Sequence, residues 1–179
     1  RALRDYCLAT YPEPRPLNHD EDNIASQYKD LEAWTIHRKR AWISLLSGAH
    51  YDYIDFSIIN HCEVGTPASQ AAIRTWLGHL ARFMHALDLA RAQPLRDLLH
   101  ALPLHTVDAV FGVPGQDICI YLADERELPA ARDLPAGSTA DPTAGQPLSG
   151  SITVDLPEGV YMARTYDPCT GLYSPAVSL

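Results

Sequence analysis

Three neighbouring carboxylates, Asp20, Glu21 and Asp22, stand between His19 and Asn23. Like charges so close repel unless they face different surroundings or share a positive partner. A second polar group, Tyr53, Asp55, Asn60, His61 and Glu63, lies on or just beyond the strand predicted over Tyr51 to Ile59. Paired carboxyls suit hydrolysis of a glycosidic bond: with retention, one is the nucleophile and the other the acid/base, held about 5 to 5.5 Å apart. Glu21 is the candidate nucleophile. His19, Asp20, Asp22, Asn23, Tyr53, Asp55, Asn60 and His61 are candidates for holding the sugar, Tyr53 because a ring face packs well against the apolar face of a pyranose. The competing reading of the acidic run is a solvated loop without chemistry. Histidine and carboxylates also suit a metal, but neither an HxH nor an HExxH spacing is present, so no metal and no cofactor is expected. A His61/Cys62 nucleophile pair is disfavoured, because neighbouring side chains on an extended segment point to opposite faces.

The elements that must position these groups can be read from the pattern. Residues 1–9 look like the tail of a helix running into Pro12 and Pro14, and residues 15–19 are a short extended run ending at the acidic group. From about Asp30, Leu31, Trp34, Ala41, Trp42, Leu45 and Leu46 recur at helical spacing, with Gly48 placed as a C-terminal cap. Tyr51 to Ile59, rich in aromatic and β-branched residues, predicts a strand. Thr66 and Pro67 then open a second amphipathic helix bearing Ile73, Trp76, Leu77, Leu80, Phe83, Met84 and Leu87. Trp34, Trp42 and Trp76 fall on apolar helix faces and predict core, while His50, His79, His85, His100 and His105 are read as surface or satisfied core histidines.

Alternation of strand and helix is the pattern of parallel sheets and barrels, whose active sites lie where strands end. After Leu95 the character changes to short extended runs at Leu104 to Phe111, Asp117 to Ala123, Ser151 to Leu156 and Val160 to Tyr166. Turn signals flank them at Val113 to Gly115, Pro157 to Gly159 and Asp167 to Gly171. That half predicts an antiparallel β-sandwich, with a long exposed loop over 133–150. The fold class is thus α/β plus all-β, with residues 1–95 as one unit and 96–179 as the other.

Composition narrows the function. The 179 residues carry 14 Lys and Arg against 22 Asp and Glu, a net charge of -8, and no basic stripe of the kind phosphate backbones require, so no nucleic-acid partner is expected. No run approaches the roughly 18 apolar residues of a membrane helix, and no leader pattern opens the chain, so no membrane partner is expected. Cys7, Cys62, Cys119 and Cys169 are widely spaced without a CxxC pair and are read as thiols.

Three runs carry a family resemblance: Arg15 to Glu21, Arg40 to Ala49, and Ala163 to Gly171 with its Tyr-Asp-Pro-Cys-Thr-Gly turn. Together they resemble the C-terminal half of apiosidase-like and related cellulase-like glycoside hydrolases. The resemblance implies that Asn18 and Glu21 form the strand-end "Asn-x-x-Glu" segment with Glu21 as nucleophile. It further implies that Ser47-Gly48-Ala49 closes the helix before the last barrel strand, and that the closing turn belongs to a β-domain sometimes labelled as collagen-binding. The closing turn has Tyr166 directly before Asp167 where the family has Trp and a spacer.

A complete barrel takes about 250 residues, and only its last two βα units fit before Leu95. The acid/base carboxylate has no counterpart, so this chain is expected to be an incomplete part of an enzyme, inactive alone. Leu17, Ile54, Phe56 and Ile58 would then lack partners. Self-association, or docking of the missing N-terminal half beside the Tyr51 to Ile59 strand, is expected. The alternative is a non-catalytic carbohydrate- or protein-binding β-module with helices packed against it.

Overall fold

The computed structural model describes residues 1–20, 31–53, 67–126, 143 and 146–179. The chain begins with α1 (Ala2–Thr10), then β1 (Asn18–His19), α2 (Leu31–Leu46), β2 (His50–Tyr51) and α3 (Pro67–His85). There follow β3 (Gln93–Pro94), β4 (Thr106–Val113), β5 (Asp117–Asp124), β6 (Met162–Ala163), β7 (Tyr166–Asp167), β8 (Leu172–Tyr173) and β9 (Val177–Ser178).

Two local signals act as the sequence predicts. Pro67 is the first residue of α3, where its missing N–H costs nothing. Ile73, Trp76, Leu80 and Met84, spaced by three and four, form its buried stripe. At the end of α2, Gly48 adopts φ +86. Its N–H reaches Leu45 O at 3.2 Å and the Ala49 N–H reaches Ser44 O at 3.0 Å. That paired closure satisfies carbonyls the helix leaves open, and its left-handed residue favours glycine.

β1 and β2 are parallel, with Asn18 opposite His50 and His19 opposite Tyr51, and α2 is the connection between them. This is a βαβ unit, the connection that parallel strands require. The second half is antiparallel throughout. β4 and β5 pair over their whole length from Thr106 opposite Asp124 to Val113 opposite Asp117, joined by a three-residue loop in which Gly115 takes φ +74. β3 adds to the other edge of β4, β6 pairs with β9, and β7 with β8.

The helices and the β4–β5 sheet share one core. Trp42 of α2 stacks on Tyr121 of β5, centroids 5.3 Å apart and planes at 13°. It also meets Phe83 of α3 at 4.8 Å and Tyr166 of β7 at 5.7 Å. Leu46, Leu80, Ala109 and Phe111 close the same cluster, each large side chain contributing about 1.5 to 3 kcal/mol by burial. The turn from Asp167 to Gly171 clamps the C-terminal strands onto the helices. Arg38 donates to Cys169 Sγ at 2.8 Å, Tyr166 Oη donates to the His79 carbonyl at 3.2 Å, and His79 Nδ1 lies 3.3 Å from the Pro168 carbonyl. From the other side, Arg4 of α1 pairs with Asp108 of β4.

Several expected elements differ in extent. The β4 strand begins at Thr106 rather than Leu104, because His105 takes a left-handed φ of 61, although its carbonyl still accepts from the Glu125 N–H at 2.8 Å. The Ser151 to Leu156 run forms only a single bridge, Val154 to Leu99. The Val160 to Tyr166 run divides into β6 and β7, which pair with different strands, β9 and β8. The β-rich half is therefore a three-stranded sheet with two short ribbons among the described residues, where two facing sheets are expected. Trp42 and Trp76 are buried as expected, at 2% and 8% exposure. Most of the expected 133–150 loop, and Ile54, Phe56 and Ile58, lie outside the described residues, while Leu17 is half-buried.

Candidate functional site at the strand ends

Parallel pairing brings the carboxyl ends of β1 and β2 to one edge. The Asp52 N–H donates to the His19 carbonyl at 2.9 Å and the His50 N–H to the Leu17 carbonyl at 2.8 Å, so the ladder runs on to Asp20 and Asp52. Side chains alternate across a strand, and exposure follows the alternation. Asn18, Asp20, His50 and Asp52 are exposed, whereas Leu17, His19, Tyr51 and Tyr53 are half-buried. With Asn18 opposite His50, the first four share one face.

Asn18 and Asp20 are brought together, Asn18 Nδ2 donating to Asp20 Oδ1 at 2.6 Å. His19 points the other way. Its ring stacks on Tyr6 at 6.4 Å, its Nδ1 lies 3.0 Å from Ser44 Oγ, and its Nε2 faces the buried thiol of Cys7 at 3.9 Å. These contacts join β1 to α1 and α2. Tyr53 likewise packs edge-on against His37, centroids 5.2 Å apart, and against the cluster of Ile36, Ile73 and Trp76. The Tyr51 hydroxyl lies 3.5 Å from His37 Nδ1. Glu21, Asp22, Asn23, Asp55, Asn60 and His61 lie outside the described residues.

His50 and Asp52 are not among the residues the sequence marks for the site: His50 reads there as a surface or core histidine, and Asp52 as one residue of a strand. Period-two alternation applied to both strands together would have found them, but that requires knowing that β1 and β2 are paired and in which register. The resulting face carries two carboxylates, an amide and an imidazole at the carboxyl edge of a parallel pair. Such a surface can accept and donate hydrogen bonds to several hydroxyls of one ligand and can move protons. Among the described residues, no group of three or more His, Cys, Asp or Glu is placed to hold a metal ion.

No family model, curated protein or solved structure matches this chain.

Proposed function

We propose that the chain is the C-terminal part of a retaining glycoside hydrolase, an α/β unit from the end of a (β/α)₈ barrel with a small antiparallel β-domain. The supporting observation is the parallel β1–α2–β2 unit, whose exposed polar face of Asn18, Asp20, His50 and Asp52 lies at the strands' carboxyl ends. Ligands of parallel α/β folds bind at that end. Glu21 follows Asp20 directly and is assigned as the nucleophile.

In this reading Glu21 attacks the anomeric carbon while an acid from the remaining barrel strands gives its proton to the leaving oxygen. Water then cleaves the glycosyl ester, with the same acid, now a base, taking the water's proton. The face formed by Asn18, Asp20, His50 and Asp52 holds sugar hydroxyls. The partners are a carbohydrate and the rest of the barrel, supplied by further chain, a separate subunit or a second copy. Nucleic acid and membrane are not partners in this reading. Among the described residues no helix is long and apolar enough to cross a membrane.

The test is Glu21→Gln in the assembled enzyme. Turnover should fall by orders of magnitude with substrate affinity nearly retained. Unchanged turnover would remove Glu21 from the mechanism.

One observation favours a binding-module reading. Arg164 lies 3.8 Å over the ring of Tyr173, and the surrounding strands expose Met162, Leu172 and Val177. An exposed aromatic ring beside apolar residues suits contact with a sugar or a protein. Tyr173→Ala in the 179-residue chain should abolish retention on polysaccharide if this surface binds glycans. Unaltered retention assigns the binding elsewhere.

A further inference from the structure

A cleft of about 320 Å³ opens between α1, the end of α2, β4 and the connector from β3 to β4, residues 95–105. It is distinct from the strand-end face. Its volume is at the lower end of the range for small-molecule pockets, about 300 to 1,000 Å³, and suits one small molecule rather than a chain segment. Leu8 of α1, Leu95, Leu98, Leu99 and Leu102 of the connector and Val110 of β4 make its walls apolar. The connector is tied down at three points. The Leu95 N–H donates to the Val110 carbonyl at 2.8 Å, the Asp155 N–H to the Leu98 carbonyl at 2.8 Å, and the His100 N–H to the Thr153 carbonyl at 2.9 Å.

Four charged side chains line the cleft, Arg4 and Asp108 on one side and Arg96 and Asp97 on the connector, so the lining as a whole is neutral. The two pairs differ in what they meet. Arg4 pairs with Asp108 and, at 2.7 Å, with Asp5. Arg96 and Asp97 are exposed, and among the described residues neither meets an opposite charge. Arg96 Nη2 donates to the Leu8 carbonyl, which α1 leaves open because Pro12, four residues on, has no N–H. The guanidinium keeps further donors in its planar fork, the geometry that takes a carboxylate. Asp97 beside it holds a left-handed φ of 62, uncommon for a residue with a side chain and concentrated at ligand sites where anchored neighbours impose it.

The most buried lining residue is Ser47, at 0% exposure. Its hydroxyl has no hydrogen-bond partner among the described residues, a cost that a polar group of a ligand would relieve. One positive and one negative group stand side by side at the mouth of a leucine-lined cleft with an unsatisfied hydroxyl in its depth. A simple anion or cation would meet one matching and one opposing charge, whereas a zwitterion matches both. We propose that this cleft binds a free α-amino acid of the tyrosine type. Its carboxylate pairs with Arg96, its ammonium with Asp97, its ring packs among the leucines and its phenol meets Ser47.

Equilibrium dialysis of the 179-residue chain against radiolabelled tyrosine tests this, with unlabelled competitors that each remove one feature. Tyramine lacks the carboxylate, desaminotyrosine the ammonium, phenylalanine the phenol and glycine the ring. The expected result is saturable tyrosine binding, with phenylalanine competing severalfold more weakly than tyrosine and the other three at least tenfold more weakly. Arg96→Gln and Asp97→Asn should each weaken tyrosine binding at least tenfold. Asparagine tolerates the left-handed backbone, so Asp97→Asn removes only the charge. Should Arg96→Gln release the end of α1 and fail to fold, Asp97→Asn decides. Absence of saturable binding, competition by any of the four analogues equal to that of tyrosine, or unchanged affinity in the folded variants overturns the proposal.

Discussion

Replacing Gly48 by alanine tests how α2 is handed over to β2. Gly48 has φ +86, where a Cβ costs about 1 to 2 kcal/mol. An added Cβ would also collide with Tyr11 Cδ2 and lie 2.7 Å from its Cε2 and 2.9 Å from Pro94 Cγ. Forcing a methyl group into a filled space costs about 1 to 3 kcal/mol more. The sum, about 2 to 5 kcal/mol, is a large part of the 5 to 15 kcal/mol that holds a typical domain folded. With a urea slope of about 2 kcal/mol per molar, the midpoint should fall by about 1 to 2.5 M at unchanged slope. A double-mutant cycle separates the two costs. Tyr11 is 43% exposed, so Tyr11→Ala alone should cost little. In its background Gly48→Ala should lose most of the steric component and keep the backbone one. A midpoint shift below about 0.5 M would refute both the left-handed cap and the close approach of Tyr11. Equal shifts with and without Tyr11 would refute the approach alone.

Trp42→Ala, which removes the ring shared by Tyr121, Phe83 and Tyr166, should cost about 3 to 5 kcal/mol in chemical denaturation. A loss under 1 kcal/mol would deny that the helices and the sheet share one core. Native alkylation at about pH 8 should label Cys169 well before Cys119. Cys169 is exposed, whereas Cys119 is pushed up to about 12, chiefly by burial and then by Asp117. Peptide mass mapping reads the order, and equal rates would contradict it. The pKa of Asp167 is lowered from its ordinary 3.8, first by the Cys169 backbone N–H, with the Thr170 hydroxyl also donating. A folded pKa below the unfolded one means the unfolded state binds more protons. The stabilisation is then complete above about pH 4 to 5 and is lost as the pH falls through the folded value. The gap in melting temperature between Asp167→Asn and the parent should therefore narrow between about pH 5 and about pH 2. A gap independent of pH would exclude the charge as its cause.

Local structure is legible in the chain alone. Pro67 and the three-and-four spacing of Ile73, Trp76, Leu80 and Met84 specify α3 without reference to anything distant, because a helix closes its own hydrogen bonds. Gly48 as the end of α2, and the turn at Gly115 between β4 and β5, are legible for the same reason. Chain order also makes a β1–α2–β2 alternation readable. Tertiary structure alone decided which residues of the strands face together. β1 and β2 have only two residues each, too few for a pattern to declare its period. The shared face of Asn18, Asp20, His50 and Asp52 therefore became visible only with the register. His19 and Tyr53, chosen for their chemical type, turned to the packed side, which composition could not foretell. The contact between α2 and the closing turn shows the same limit most clearly. Arg38 meets Cys169 across 131 positions, a contact that exists only once the Asp167 to Gly171 turn has folded against α2. Helix ends and tight turns are set by φ and ψ preferences of neighbours. A site assembled from distant segments exists only after the core around Trp42 has brought them together, because no local energy term distinguishes it beforehand.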